Sequence, residues 1–173
     1  MISTVRHPVL LGEYELTLDE KNRLLIPAEV RRLIPADQGE SLYVVMGINR
    51  VPWLYCERYY EDLVMQRPAD MIPAHETHKF NQLIFGTAAK LAWDKAGRIL
   101  LPERTVRRAE LAKDVVMVGV KDHLELYRPQ AWDERLAELE KDAERVFDQA
   151  RIARQGPPAV PVVQGSQPQS LQQ

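Results

Sequence analysis

Cysteine occurs once in the 173 residues, at Cys56. A lone thiol excludes an internal disulfide and fits a reducing compartment. Glycine is scarce too, with eight residues and no glycine-rich run of the kind that cradles phosphates. Neither sign of charge dominates: 23 Lys and Arg stand against 25 Asp and Glu, a net charge of −2. That balance argues mildly against a nucleic-acid partner, since such proteins are often basic, although a local patch or a symmetric assembly concentrates cations on one face. No apolar run approaches the roughly 20 residues of a membrane helix. Val9-Leu10-Leu11 is too short for a signal segment, so a soluble, cytoplasmic protein without membrane contact is expected.

Catalytic constellations are also lacking. His75 and His78 are three residues apart, whereas the metalloprotease pattern sets its two His four apart on a helix; beside Pro73 they read as linker. His7 and His123 have no ligand partners nearby in sequence. Cys56 has no activating neighbour and reads as a buried, inert thiol, and Ser41 lacks a nucleophile-elbow context. No enzyme, metal site or cofactor is expected.

What is present is a repeat. Residues 19–27 read Asp-Glu-Lys-Asn-Arg-Leu-Leu-Ile-Pro, and residues 94–102 read Asp-Lys-Ala-Gly-Arg-Ile-Leu-Leu-Pro. Asp19, Arg23 and Pro27 match Asp94, Arg98 and Pro102. The flanks match in order as well: Val44 to Ile48 answers to Val116 to Val120, and Leu54-Tyr55 to Leu126-Tyr127. Two copies are too few for a solenoid and indicate a pseudo-symmetric pair of small units.

Local chemistry gives each copy the same elements. Tyr14, Leu16 and Leu18 alternate with Glu13, Glu15 and Thr17, the period of a half-buried strand. Glu20-Lys21-Asn22 reads as a turn, and Arg23 to Ile26 as the strand returning beside the first. In the second copy Gly97 takes the place of Asn22; both residue types tolerate a left-handed backbone. Pro27 and Pro102 end the strands and open short helices. Neither unit alone could bury a core, so strands are expected to exchange between them and close a barrel. Pro52 is expected to interrupt the next strand. Lys79 to Lys90 reads as helical or mixed. From Trp132 the apolar positions Leu136, Leu139, Ala143, Val146 and Ala150 recur at steps of three and four, an amphipathic helix. The Pro-, Gln- and Ser-rich tail reads as disordered. The organisation is an arm at 1–10, a first unit at 11–65, a linker at 66–78, a second unit at 79–136, a helix at 137–154 and a tail at 155–173.

Arg23 and Arg98 admit two readings. Asp19 and Asp94 could each close a salt bridge across the turn, worth about 0–1 kcal/mol at a surface. The Asp could equally orient an Arg whose fork faces a ligand, because a guanidinium donates two parallel hydrogen bonds to phosphate or guanine. Lys21 and Lys95 lie in the turns, and Arg31, Arg32, Arg104, Arg107 and Arg108 follow on the helices. Residues 94–113 hold six basic and three acidic side chains, a cationic segment in an acidic chain. An anionic partner is favoured over a merely solvated helix face.

Leu11 to Ala28, with the second motif between Ile84-Phe85-Gly86 and Leu124 to Tyr127, resembles the MraZ family over about residues 10–140. The resemblance implies two AbrB-like swapped-hairpin units forming an intrachain pseudo-dimeric barrel, a mixed α/β fold. It implies a transcriptional regulator that assembles as a ring of copies. Such regulators bind short, G-containing direct repeats in double-stranded DNA upstream of the division and cell-wall gene cluster, without catalysis or cofactor, at the nucleoid. The family's DNA-contacting loops map onto Lys21 and Arg23 and onto Lys95 and Arg98, with Arg31, Arg32, Arg104 and Arg107 as supporting cations and Asp19 and Asp94 as structural residues. Asn22 departs from the usual Gly, Glu29 stands where Lys is common, and Asn49 to Trp53 is atypical. Two rivals are an AbrB-type antitoxin that binds a toxin, and a scaffold acting through the C-terminal helix.

Overall fold

Each copy of the repeat folds into the same series of elements in a computed structural model that describes residues 8–67 and 74–155. The first half runs β1 (Leu10–Thr17), β2 (Arg23–Leu25), α1 (Ala28–Leu33), β3 (Ser41–Met46), β4 (Pro52–Cys56) and α2 (Glu57–Met65). After α3 (His75–Phe85) the second half repeats it as β5 (Ala89–Ala92), β6 (Arg98–Leu100), α4 (Glu103–Arg108), β7 (Asp114–Lys121), β8 (Leu124–Tyr127) and α5 (Pro129–Lys141). The last helix is α6 (Ala143–Gln155). The fold is mixed α/β, and every strand pair is antiparallel.

β3 pairs with β4 and β7 with β8 as hairpins within a half, but the strands of the repeat motif do not. β1 and β2, expected side by side, share only a bridge between Leu18 and Leu24. β1 instead runs along β7, from Leu10 opposite Lys121 to Thr17 opposite Asp114, and β2 pairs with β6. Alternation fixes which face of a strand is buried but not which strand lies beside it, so sequence left the partner open. Leu10, Leu18 and Leu24 are buried as the alternation requires, with Tyr14 and Leu16 packed against the core.

The strand order is β1-β7-β8-β4-β3-β5, beside a separate β2-β6 ribbon. Exchanging the halves turns this order into itself reversed. β1 and β5 are its open edges, so the barrel expected from sequence is not closed.

The registers obey the same exchange and correct one alignment. Leu16 pairs with Val115, and its repeat equivalent Leu91 pairs with Leu42. Leu42 therefore answers to Val115, and Gly47 and Gly119, which look equivalent in sequence, stand one place apart. Backbone bonds just past the strand ends agree: Leu18 N–H donates to Lys113 at 2.7 Å, and Trp93 N–H to Glu40 at 3.4 Å. The shift arises between β3 and β4, where by register the first half holds one residue more than the second does between β7 and β8. The connection before β3 is longer too and contains a short 3-10 turn, Ala36–Gln38.

One core serves both halves. Leu24, Ile26, Val30, Leu42, Val44, Leu54 and Cys56 join Leu91, Ile99, Leu101, Val115, Met117, Leu124 and Leu126 in a single buried cluster. Cys56 lies wholly inside it, and burial pushes its thiol up to about 12.

Three boundaries differ from expectation. Pro52 does not interrupt a strand but begins β4, a place where the missing N–H is tolerated; Asn49 and Arg50, at φ 57° and 61°, turn the chain just before it. α3 starts at His75, inside the stretch read as linker, and Lys79 to Lys90 is mixed, helix as far as Phe85 and strand from Ala89. The C-terminal helix is two helices meeting at Asp142. The backbone bonds from Asp142 to Glu138 and from Val146 to Asp142, 3.2 and 3.0 Å, carry the i,i+4 ladder past the break.

The chain divides into two units, residues 1–134 and 135–173. Among the described residues all eight strands belong to the first. The second holds the end of α5 and α6, with i,i+3 ion pairs Arg135–Glu138, Arg145–Asp142 and Arg151–Asp148. In it Val146, Phe147 and Ile152 are exposed. Most of the N-terminal arm, the middle of the linker and all of the tail beyond Gln155 lie outside the described residues.

Candidate nucleic-acid interface

The two repeat turns are built alike. Asp19 Oδ1 accepts the N–H of Lys21 at 2.9 Å and of Arg23 at 2.8 Å. Asp94 Oδ1 accepts those of Ala96 at 2.8 Å and Arg98 at 2.9 Å. In both turns the Arg Nε donates to the other Asp oxygen at 2.7 Å. Asn22 and Gly97, at φ 59° and 80°, supply the left-handed residue. Each carboxylate is thus used on both oxygens to hold one turn and aim one arginine. Both carboxyls lie below the ordinary 3.8, first because the arginine's backbone N–H binds the ionised form; some burial opposes this, and the guanidinium adds to it.

Arg23 and Arg98 are about one-third exposed. Among the described residues their terminal nitrogens make no hydrogen bond. The pairing of β2 with β6 brings them onto one ribbon. Arg23 stands opposite Leu100 and Leu25 opposite Arg98, so the two arginines are diagonal neighbours, roughly 7–8 Å apart at the backbone. Leu24 and Ile99 fill the other face and are fully buried. The ribbon therefore has one face in the core and one face carrying both arginines.

The lysines are not equivalent. Lys21 occupies the place of Ala96, and Lys95 that of Glu20. Both are exposed, as are Arg31, Arg32, Arg104, Arg107 and Arg108. Among the described residues the side chains of Lys21, Arg32, Lys95, Arg104 and Arg107 form no ion pair.

Arg31 differs from the other helix cations. Its Nε donates to the Ile26 carbonyl at 3.1 Å, and its guanidinium lies over Gly97, where an added Cβ would come within 2.7 Å of it. The first half thus braces the turn of the second. At the equivalent place Val106 lies near the first turn, in a cleft of about 550 Å³ with Asp19, Asn22 and Lys113. The matching cleft at the second turn, about 690 Å³, is lined by Arg31, Asp94, Lys95 and Lys90 among others. Sequence gave no sign of this brace, because Arg31 and Gly97 are far apart in the chain. Two backbone bonds repeat across the same junction: Ile26 N–H to Gly97 at 3.1 Å, and Leu101 N–H to Asn22 at 2.9 Å.

Among the described residues no cluster of His, Cys, Asp and Glu has the makings of a metal site, and no helix is long and apolar enough to cross a membrane. What the geometry offers is a ribbon face with two arginines, each fixed by its own Asp.

The family model of MraZ protein, which its description calls antitoxin-like, matches residues 84–153. A transcriptional regulator MraZ of Roseiflexus castenholzii is 32% identical over 135 residues, covering 78% of this chain and 92% of the relative. One of Dictyoglomus thermophilum is 32% identical over 130 residues, covering 73% and 84%. One of Pediococcus pentosaceus is 31% identical over 144 residues, covering 81% and 95%.

Proposed function

Because this chain belongs to the MraZ family, whose relatives carry the name of transcriptional regulator, we propose that it regulates transcription by binding double-stranded DNA at a specific sequence. Arg23 and Arg98 read base edges, since the arginine fork suits guanine O6 and N7. Lys21, Lys95, Arg32, Arg104 and Arg107 position the protein on phosphates, and Arg31 does so while bracing the second turn. The operator is a set of short, G-containing direct repeats upstream of the division and cell-wall genes. Several copies in a ring, at the nucleoid, each engage one repeat. Each chain holds two AbrB-like swapped-hairpin units, 11–65 and 79–136. No catalytic step or cofactor is involved.

The observation that carries this reading is the pair of Asp–Arg turns with matching 2.7 Å bonds on one exposed ribbon face. A carboxylate that fixes an arginine lowers the entropy lost when that arginine binds. The test is a gel shift with DNA from upstream of this protein's own gene. Retardation that fades steeply with salt is expected; absence of any salt-sensitive binding contradicts the proposal. An antitoxin role is the second reading, favoured by the family's description as antitoxin-like, and a small toxin recovered with the full chain would support it.

A further inference from the structure

The proposed arginine contacts leave two side chains of the ribbon face unexplained. Leu25 and Leu100 are 50% and 58% exposed. They share that face with Arg23 and Arg98, while Leu24 and Ile99 turn into the core. Each leucine stands directly across the ladder from an arginine, so the face is a two-by-two checkerboard of guanidinium and isobutyl groups. A single exposed leucine is ordinary on a protein surface. These two occupy the same place in both repeats, each two residues beyond the arginine of its own turn.

The checkerboard matches the floor of the DNA major groove. That groove admits a two-stranded ribbon, offers guanine O6 and N7 to arginine, and offers the thymine 5-methyl to an apolar side chain. Duplex RNA fits poorly, because its major groove is too narrow to read and uracil has no methyl.

We propose that Leu25 and Leu100 are specificity-determining residues that pack on thymine methyl groups beside the guanines bound by Arg23 and Arg98. The inference rests on the DNA-binding reading above and names the base class it had left open. The operator then carries thymine next to guanine at a fixed step, and the leucines contribute sequence preference without charge.

The test removes the methyl and nothing else. Duplexes are selected from a randomised library with the full chain, and the best-bound duplex is remade with 2′-deoxyuridine at one thymine at a time. Every hydrogen-bonding group stays in place. Affinity is expected to fall about fourfold for each methyl in contact, the worth of one buried methylene, at thymines neighbouring guanine. The Leu25→Ala, Leu100→Ala double variant should bind thymine and uracil duplexes alike while keeping its discrimination at guanine. Wild-type binding indifferent to every exchange overturns the inference, and this result needs no variant to fold. A double variant as sensitive to uracil as the wild type overturns it as well. If the leucines join copies of the chain to one another, the exchange is silent and the variant runs at lower mass in light scattering. A library that yields no bound duplex defeats the DNA-binding reading itself, and this inference with it.

Discussion

At the scale of the residue, the account turns on two carboxylates. Asp19 and Asp94 each bind two backbone N–H groups and one guanidinium, and each is held below its ordinary pKa for that reason. A folded-state value below the unfolded one means that the unfolded chain takes up the proton first. Stability from these groups is therefore fully present above the ordinary 3.8 and is lost as pH falls through the lower folded values. Melting temperature should change little from these groups across roughly pH 5 to 8 and fall in acid. The Asp19→Asn, Asp94→Asn variant should melt lower at neutral pH and lose part of the acid limb. An unchanged acid limb in a folded variant would show that the turns do not titrate as described. The motif's Asp, Arg and turn residue were legible in sequence because each is required by a specific bond or backbone angle. Leu25 and Leu100 were passed over because an apolar residue in a strand reads as core until the register shows which way it faces.

At the scale of the element, periods were legible and partners were not. β1 shows its alternation plainly, yet its neighbour is β7, more than ninety positions on. β5 has only four residues and follows a helix, so the spacing of Phe80, Leu83, Ile84 and Ala88 left the segment helical or mixed without showing where the strand begins. The expected C-terminal stripe holds in part. Trp132 is buried and its ring lies 5.2 Å from that of Tyr127, whereas Val146 is exposed. Truncation after residue 131 should therefore cost about 1.5–3 kcal/mol, the value of one large side chain withdrawn from the core. Denaturant unfolding of that truncation against the full chain measures it. A loss near zero would mean that Trp132 does not anchor α5.

At the scale of the whole molecule, the repeat explains the topology. Two copies exchange strands, share one core and bring two turns onto a single ribbon, so a chain of net charge −2 carries a local cationic face. One such face is a modest footprint, and linked copies would raise avidity without new contacts. Light scattering of the full chain should give a multiple of 19.9 kDa; a monomer at working concentrations would contradict the ring.

The central claim is that the paired arginine turns read DNA. It is tested most directly by titrating the upstream duplex with the wild type and with the Arg23→Ala, Arg98→Ala variant, the fold of the variant being checked by circular dichroism. Each arginine in bidentate contact with a base should be worth about 1–3 kcal/mol of discrimination, so the folded variant should lose its preference for the operator and retain only weak, salt-dependent binding to any duplex. A folded variant that binds the operator as tightly and selectively as the wild type would contradict the account.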